Sequence, residues 1–270
     1  MISRLLSYTT LVACLAALPG HAGDTYSDVV HLEVRPGWTQ ADGSHLAGLH
    51  LTLAPGWKTY WRVPGDAGIP PQFDWAGSEN IAQLALSWPA PHVFDQSGYR
   101  SIGYKDDLVI PLHITPKTAG GDIRIKGEID IGVCNDICIP QTFRFDQTVS
   151  AGLHQPDPVI AAALAATPYS AAEAGVGSVT CDLRPIDGGL RISVTIAVPH
   201  AGGSEAVVVE TDDPQIWVSE AKTQRSAGTL TASSDMIHTN DTAFSVDRSA
   251  LRFTVVGAAH SVDIRGCTPG

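Results

Sequence analysis

Several things are scarce in this chain, and each scarcity removes a class of function. Methionine occurs twice and cysteine five times in 270 residues, so no methionine-rich cluster for a soft metal can form. Lysine and arginine total 17 against 28 acidic residues, a formal charge of -11, which argues against nucleic acid or an anionic lipid surface as partner. The ten histidines are scattered, without an HExxH or comparable ligand spacing. There is no G-x-S-x-G nucleophile elbow, and no apolar run approaches the ~20 residues that a membrane-spanning helix needs. Amphipathic helical patterning is nearly absent from residues 24–150, which makes an all-β sandwich the economical reading there.

What is present begins with MISRLLSYTTLVACLAALPGHAG: one positive charge at Arg4, an apolar stretch over residues 5–18, and small residues ending at Ala22. This is the layout of a secretory signal peptide over residues 1–22, and it implies an exported, periplasmic protein. LVAC also resembles a lipoprotein cleavage box, so anchoring through Cys14 is a minor alternative. The remaining chain, residues 23–270, is long enough for two domains of ~100–200 residues.

From residue 23 to 150 the chain reads as short β runs punctuated by Gly, Pro and Asp: VVHLEVRPG, HLAGLHLTLAPG, LVIPLHITP, DIRIKGEIDIGV and TFRFDQTVS. Several alternate apolar and polar residues, as half-buried antiparallel strands do. Residues 55–104, rich in Pro, Gly and aromatics, are expected to form long loops over one end or edge of this sandwich. Within them Trp57, Tyr60, Trp61, Phe73 and Trp75 are expected to pack beneath the loops rather than to present a sugar-binding platform. Residues 151–177 are an Ala/Pro-rich linker with a short helix over 158–166. From 178 to 270 about seven further short strands follow. The fold class is therefore all-β, two immunoglobulin-like β-sandwich domains joined by that linker.

Outside the leader four cysteines remain, and an even number in an exported chain favours pairing. Their order along the chain suggests Cys134 with Cys138 and Cys181 with Cys267. In a straight strand residues 134 and 138 would lie ~13 Å apart, beyond the ~7 Å a disulfide spans, so the chain turns between them. Asn135 and Asp136 are the turn formers, and Pro140 disfavours a central strand just beyond. An exposed loop tip is the expected result. Chain entropy separates the two pairs: the short loop stabilises by ~2 kcal/mol at best, the long one by ~4.6 kcal/mol. The first is a poor staple, which leaves a redox group, a Cu(I) clamp or an inert disulfide as readings of Cys134 and Cys138; Cys181 and Cys267 join the two ends of the second domain.

The segments GWKTYWRVPGDAGIPPQFDWAGSENI, GYKDDLVIPLHI and IDIGVCNDICIPQTFRF, in that order, resemble the periplasmic N-terminal (alpha) region of the DsbD/ScsB thiol:disulfide interchange family, closer to the ScsB branch, which is linked to copper-stress tolerance. The resemblance covers residues 24–150 and extends to the second domain by architecture only. It implies that Cys134 and Cys138 are a redox-active disulfide needing no cofactor or metal. Electrons would arrive from a membrane-embedded donor of DsbD/ScsB type and pass to periplasmic thioredoxin-fold acceptors. By the same resemblance Cys138 forms the mixed disulfide and Cys134 resolves it, and an aromatic cap shields the pair, with Phe94 the first candidate, Tyr99 the second, and Asp95 beside them. The membrane conduit and thioredoxin-like domain of full-length members have no counterpart in the sequence, so a protein-disulfide reductase built on this chain is expected to work with a separate membrane protein.

Overall fold

The computed structural model describes residues 28–96 and 99–270, except the side chains of residues 96 and 99; the expected signal peptide, residues 1–22, and Cys14 within it lie outside the described residues. Among the described residues the N-terminal part contains ten strands: β1 (Val30–Thr39), β2 (His45–Leu53), β3 (Lys58–Tyr60), β4 (Gln72–Asp74), β5 (Ile81–Leu86), β6 (His92–Gln96), β7 (Tyr99–Lys105), β8 (Asp107–Pro116), β9 (Ile123–Cys134) and β10 (Cys138–Val149). They form two sheets, one in the order β1-β2-β8-β5 and the other β10-β9-β3-β7-β6, with β4 also on β9. Alternation in sequence becomes alternation in burial. Leu49 and Leu51 of β2, Leu108, Ile110, Leu112 and Ile114 of β8, and Ile125, Ile129, Ile131 and Val133 of β9 meet in one core with Trp61 between the sheets, as a period of two requires for facing sheets. Residues 55–104 differ from the expectation of long loops: they carry five short strands, β3 to β7. Their Pro and Gly residues mark the breaks between strands and conceal runs of three to seven residues.

One helix, α1 (Pro158–Ala165), follows. Asp157 caps it by accepting from the backbone N–H of Val159 and Ile160, and Pro158 occupies the first turn, where its missing N–H costs nothing. Its fully buried Ile160 packs with Val109 on the outer face of the first sheet. Gly48 makes room there, because a Cβ at that position would lie 3.0 Å from Ile160 Cγ1.

The C-terminal part repeats the architecture with β11 (Tyr169–Ser170), β12 (Val179–Ile186), β13 (Gly189–Ala197), β14 (Ala206–Glu210), β15 (Ile216–Val218), β16 (Lys222–Ser226), β17 (Thr229–His238), β18 (Arg252–Val256), β19 (Ser261–Arg265) and β20 (Thr268–Pro269). Its sheets run β11-β19-β18-β14 and β15-β17-β13-β12-β20, with β16 on β17. They enclose a second core around Ile192, Val194, Leu230, Phe253 and Val262. A disulfide joins Cys181 in β12 to Cys267 before β20, and β20 then pairs with β12. The two parts are in contact. Val208 and Val256 belong to the N-terminal core cluster, Arg62 makes two hydrogen bonds of 2.9 Å to Glu210, and Arg100 pairs with Glu220 at 2.9 Å.

Candidate functional site

Strands β9 and β10 form a hairpin whose last register pair is Cys134 opposite Cys138. Asn135, Asp136 and Ile137 make the turn, closed by the Asn135 N–H donating to the Ile137 carbonyl at 3.0 Å. The two cysteines are bonded to each other, with Cα atoms 4.1 Å apart, the close spacing of directly opposed residues in antiparallel strands. Pro140 lies in β10, an edge strand, where a missing N–H is tolerated.

The expectation that this turn exposes both sulfurs is half right. Cys138 is exposed, whereas Cys134 is 1% exposed. Register explains the difference. Lys58 of β3 stands opposite Cys134, Lys105 of β7 opposite Lys58, and Gly103 opposite Tyr60. Opposed residues in a sheet point to the same side, so Lys58, Tyr60, Lys105, Cys134 and Cys138 share one face, and the alternate residues Val133, Ile102 and Tyr104 turn to the core. The site thus sits on the outer face of the second sheet, and Cys134 lies one strand in from the edge.

Tyr60 covers it. The phenol oxygen is 2.9 Å from Cys134 Sγ and 3.5 Å from Cys138 Sγ. The ring fits because residue 132 is glycine: a Cβ there would lie 3.1 Å from Tyr60 Cε2 and 2.8 Å from Ile69 Cβ. Burial raises the pKa of Tyr60, so the hydroxyl remains a donor. Tyr60 was expected to be packing only, and its place at both sulfurs was missed. The signal lay in KTY, whose period of two sets Lys58 and Tyr60 on one face.

Phe94 lies in β6 and lines, with Cys134, Asn135, Lys58, Lys105 and Asp95, a cavity of about 370 Å³. Lys58 Nζ is 5.4 Å and Lys105 Nζ 4.9 Å from the centre of its ring, within cation–π range. Tyr99 opens β7, and its side chain lies outside the described residues. Asp95 is exposed, 3.6 Å from Arg100. Lys58 is 8% exposed and donates to Ser101 Oγ at 3.1 Å; burial, and then the charge of Lys105, lower its pKa. Two exposed apolar side chains lie close to the pair, Ile69 at 40% and Ile137 at 47% exposure. Among the described residues no three His, Cys, Asp or Glu side chains converge as a metal site, and no helix is long and apolar enough to cross a membrane.

Comparisons with known proteins bear on the family and the fold. Residues 29–150 match the model of the family described as the thiol:disulfide interchange protein DsbD, N-terminal. No curated protein matches the chain. Among solved structures, the N-terminal periplasmic domain of ScsB from Proteus mirabilis is similar to it, with a TM-score of 0.68 and 19% sequence identity, covering 91% of this chain and 96% of that one. At that identity the likeness is one of fold, and it runs through both β parts. Residues 29–150, with the disulfide at the end of their last hairpin, therefore belong to the N-terminal family of the thiol:disulfide interchange protein DsbD.

Proposed function

We propose that this chain relays reducing equivalents in the periplasm through Cys134 and Cys138, taking electrons from a membrane-embedded donor of DsbD/ScsB type and giving them to thioredoxin-fold acceptors. The observation that supports this best is the asymmetry of the pair, one sulfur exposed and the other buried beneath Tyr60. Cys138 is the sulfur exposed to an approaching partner.

The steps follow. A donor dithiol reduces the pair by exchange. The Cys138 thiolate then attacks one sulfur of the acceptor's disulfide, forming a mixed disulfide and expelling the acceptor's other sulfur as a thiolate. Cys134 attacks Cys138 Sγ, re-forming the internal bond and releasing the acceptor's remaining sulfur. Two electrons pass to the acceptor, and the protons of the two thiols end on the acceptor's thiols. Because Cys134 and Cys138 are opposed in the hairpin register, the resolving step needs no rearrangement of the backbone. Phe94 would limit access to the Cys134 side until an acceptor is seated.

The test is covalent trapping. In Cys134→Ala the resolving thiol is gone, so Cys138 should hold a thioredoxin-fold partner as a stable mixed disulfide, seen as a reductant-sensitive adduct by mass spectrometry. Cys138→Ala should give none. If Cys134→Ala yields no adduct with any periplasmic thioredoxin-fold protein, the relay and the assigned roles are wrong.

A further inference from the structure

Resting on that reading, we propose that Lys58 is a positioning residue for the exchange: once the pair is reduced, its ammonium group, seconded by Lys105, keeps Cys134 as the thiolate. Lys58 is the register partner of Cys134, and Lys105 is that of Lys58. Three consecutive strands therefore place two cations and one sulfur side by side on one face of the sheet. All three residues line one cavity with Phe94, whose ring lies within cation–π distance of both ammonium groups.

In the oxidised protein this arrangement carries a cost. Lys58 is buried beside a like charge, and both effects disfavour its charged form. Reduction places an anion beside these cations, and the attraction offsets part of that cost in the reduced state. Low dielectric strengthens the attraction, and a cation beside a thiol lowers its pKa from the usual ~8.5. The other titratable groups facing the pair do not cancel it. Tyr60 is a neutral donor to the sulfur, Asp95 is exposed and directed to Arg100, and Asp136 is exposed in the turn.

The proton balance gives the test. With Cys134 already ionised, reduction by glutathione reads as protein disulfide plus two glutathione thiols giving one thiolate, one thiol, glutathione disulfide and one proton. Were both cysteines protonated, no proton would be released. The equilibrium constant against glutathione should therefore rise about tenfold between about pH 7 and 8 in the unaltered protein. It should be flat over that interval in Lys58→Met and regain its slope in Lys58→Arg. Lys105→Met, at an exposed position, should reduce the slope less. A flat profile in the unaltered protein, or one unchanged in Lys58→Met, overturns the inference; should Lys58→Met not fold, an unchanged profile in Lys105→Met does so. Glutathione is the only reductant used, so a failed relay with protein partners leaves this result standing, and the reverse also holds.

Discussion

At the residue scale Tyr60 and the two cysteines form one chemical unit. The phenol oxygen lies 2.9 Å from the buried sulfur and 3.5 Å from the exposed one. In the disulfide it meets a weak acceptor, and in the reduced protein a thiolate. A hydrogen bond to an ionised group is worth about 1.5–3 kcal/mol, more than a neutral one. The hydroxyl therefore stabilises the reduced state selectively. Tyr60→Phe should shift the glutathione equilibrium of the pair toward the disulfide by about tenfold to hundredfold, with little change in thermal unfolding of the oxidised protein. An unchanged equilibrium would reduce Tyr60 to packing. The cysteine pairing was legible in the sequence because short-range geometry and an even count constrain it. The role of Tyr60 was not, because an aromatic among Trp57, Trp61, Phe73 and Trp75 reads as core until register separates Trp61, fully buried between the sheets, from Tyr60 on the outer face.

At the scale of elements, the hairpin β9–β10 was readable from CNDICIP, since Asn and Asp turn the chain and Pro140 tolerates only an edge. Strands β3 to β7 were not, because their short runs between Pro and Gly carry too few alternations to show a period. The burial of Cys134 could not be read for the same reason: β3, which covers it, has three residues. The helix was legible from its cap, and Asp157 holds it in two ways. It accepts from Val159 and Ile160, and it binds Arg35 of β1 at 2.8 Å. Burial alone would raise its pKa, but the Arg35 hydrogen bond and the two backbone donors together carry it below the ordinary Asp value. A carboxylate depressed in the folded state adds stability above its unfolded pKa of ~3.9 and loses it as pH falls through the lower folded value. Asp157→Ala should therefore cost about 1–2 kcal/mol near neutrality, from the cap alone, and the gap to the unaltered protein should close in denaturant titrations as pH falls below ~4. A gap independent of pH would mean that the carboxylate charge is immaterial and only side-chain packing is lost.

At the scale of the whole molecule, the second β part braces the first next to its redox face. Arg62 follows the Tyr60–Trp61 pair directly, lies over the Trp61 ring at 3.9 Å, and reaches across to Glu210 of β14 with two hydrogen bonds. Nearby, Arg100 of β7, the strand that carries Ser101 and Lys105, pairs with Glu220. The strands that position Tyr60 and Lys58 are thus tethered from outside their own sandwich, which the sequence conceals because the partners are 148 and 120 residues apart in the chain. The Cys181–Cys267 bond closes the brace upon itself, and by chain entropy adds ~4.6 kcal/mol. The contact between the parts combines that ion pair with Val208 and Val256 in the N-terminal core, and the two contributions are separable. The Arg62 and Glu210 side chains are only 17% and 14% exposed, so removing one strands a largely desolvated charge. Glu210→Ala should cost about 3 kcal/mol, well above the ~0–1 kcal/mol of a surface pair. Glu210→Gln, which keeps one acceptor, should cost less. Measured by thermal unfolding, a loss of the surface size in Glu210→Ala would leave Val208 and Val256 as the element that holds the parts together. A loss near 3 kcal/mol accompanied by faster proteolysis of the segment 62–71 would assign the brace to the ion pair, and with it the rigidity of the loop that follows Tyr60.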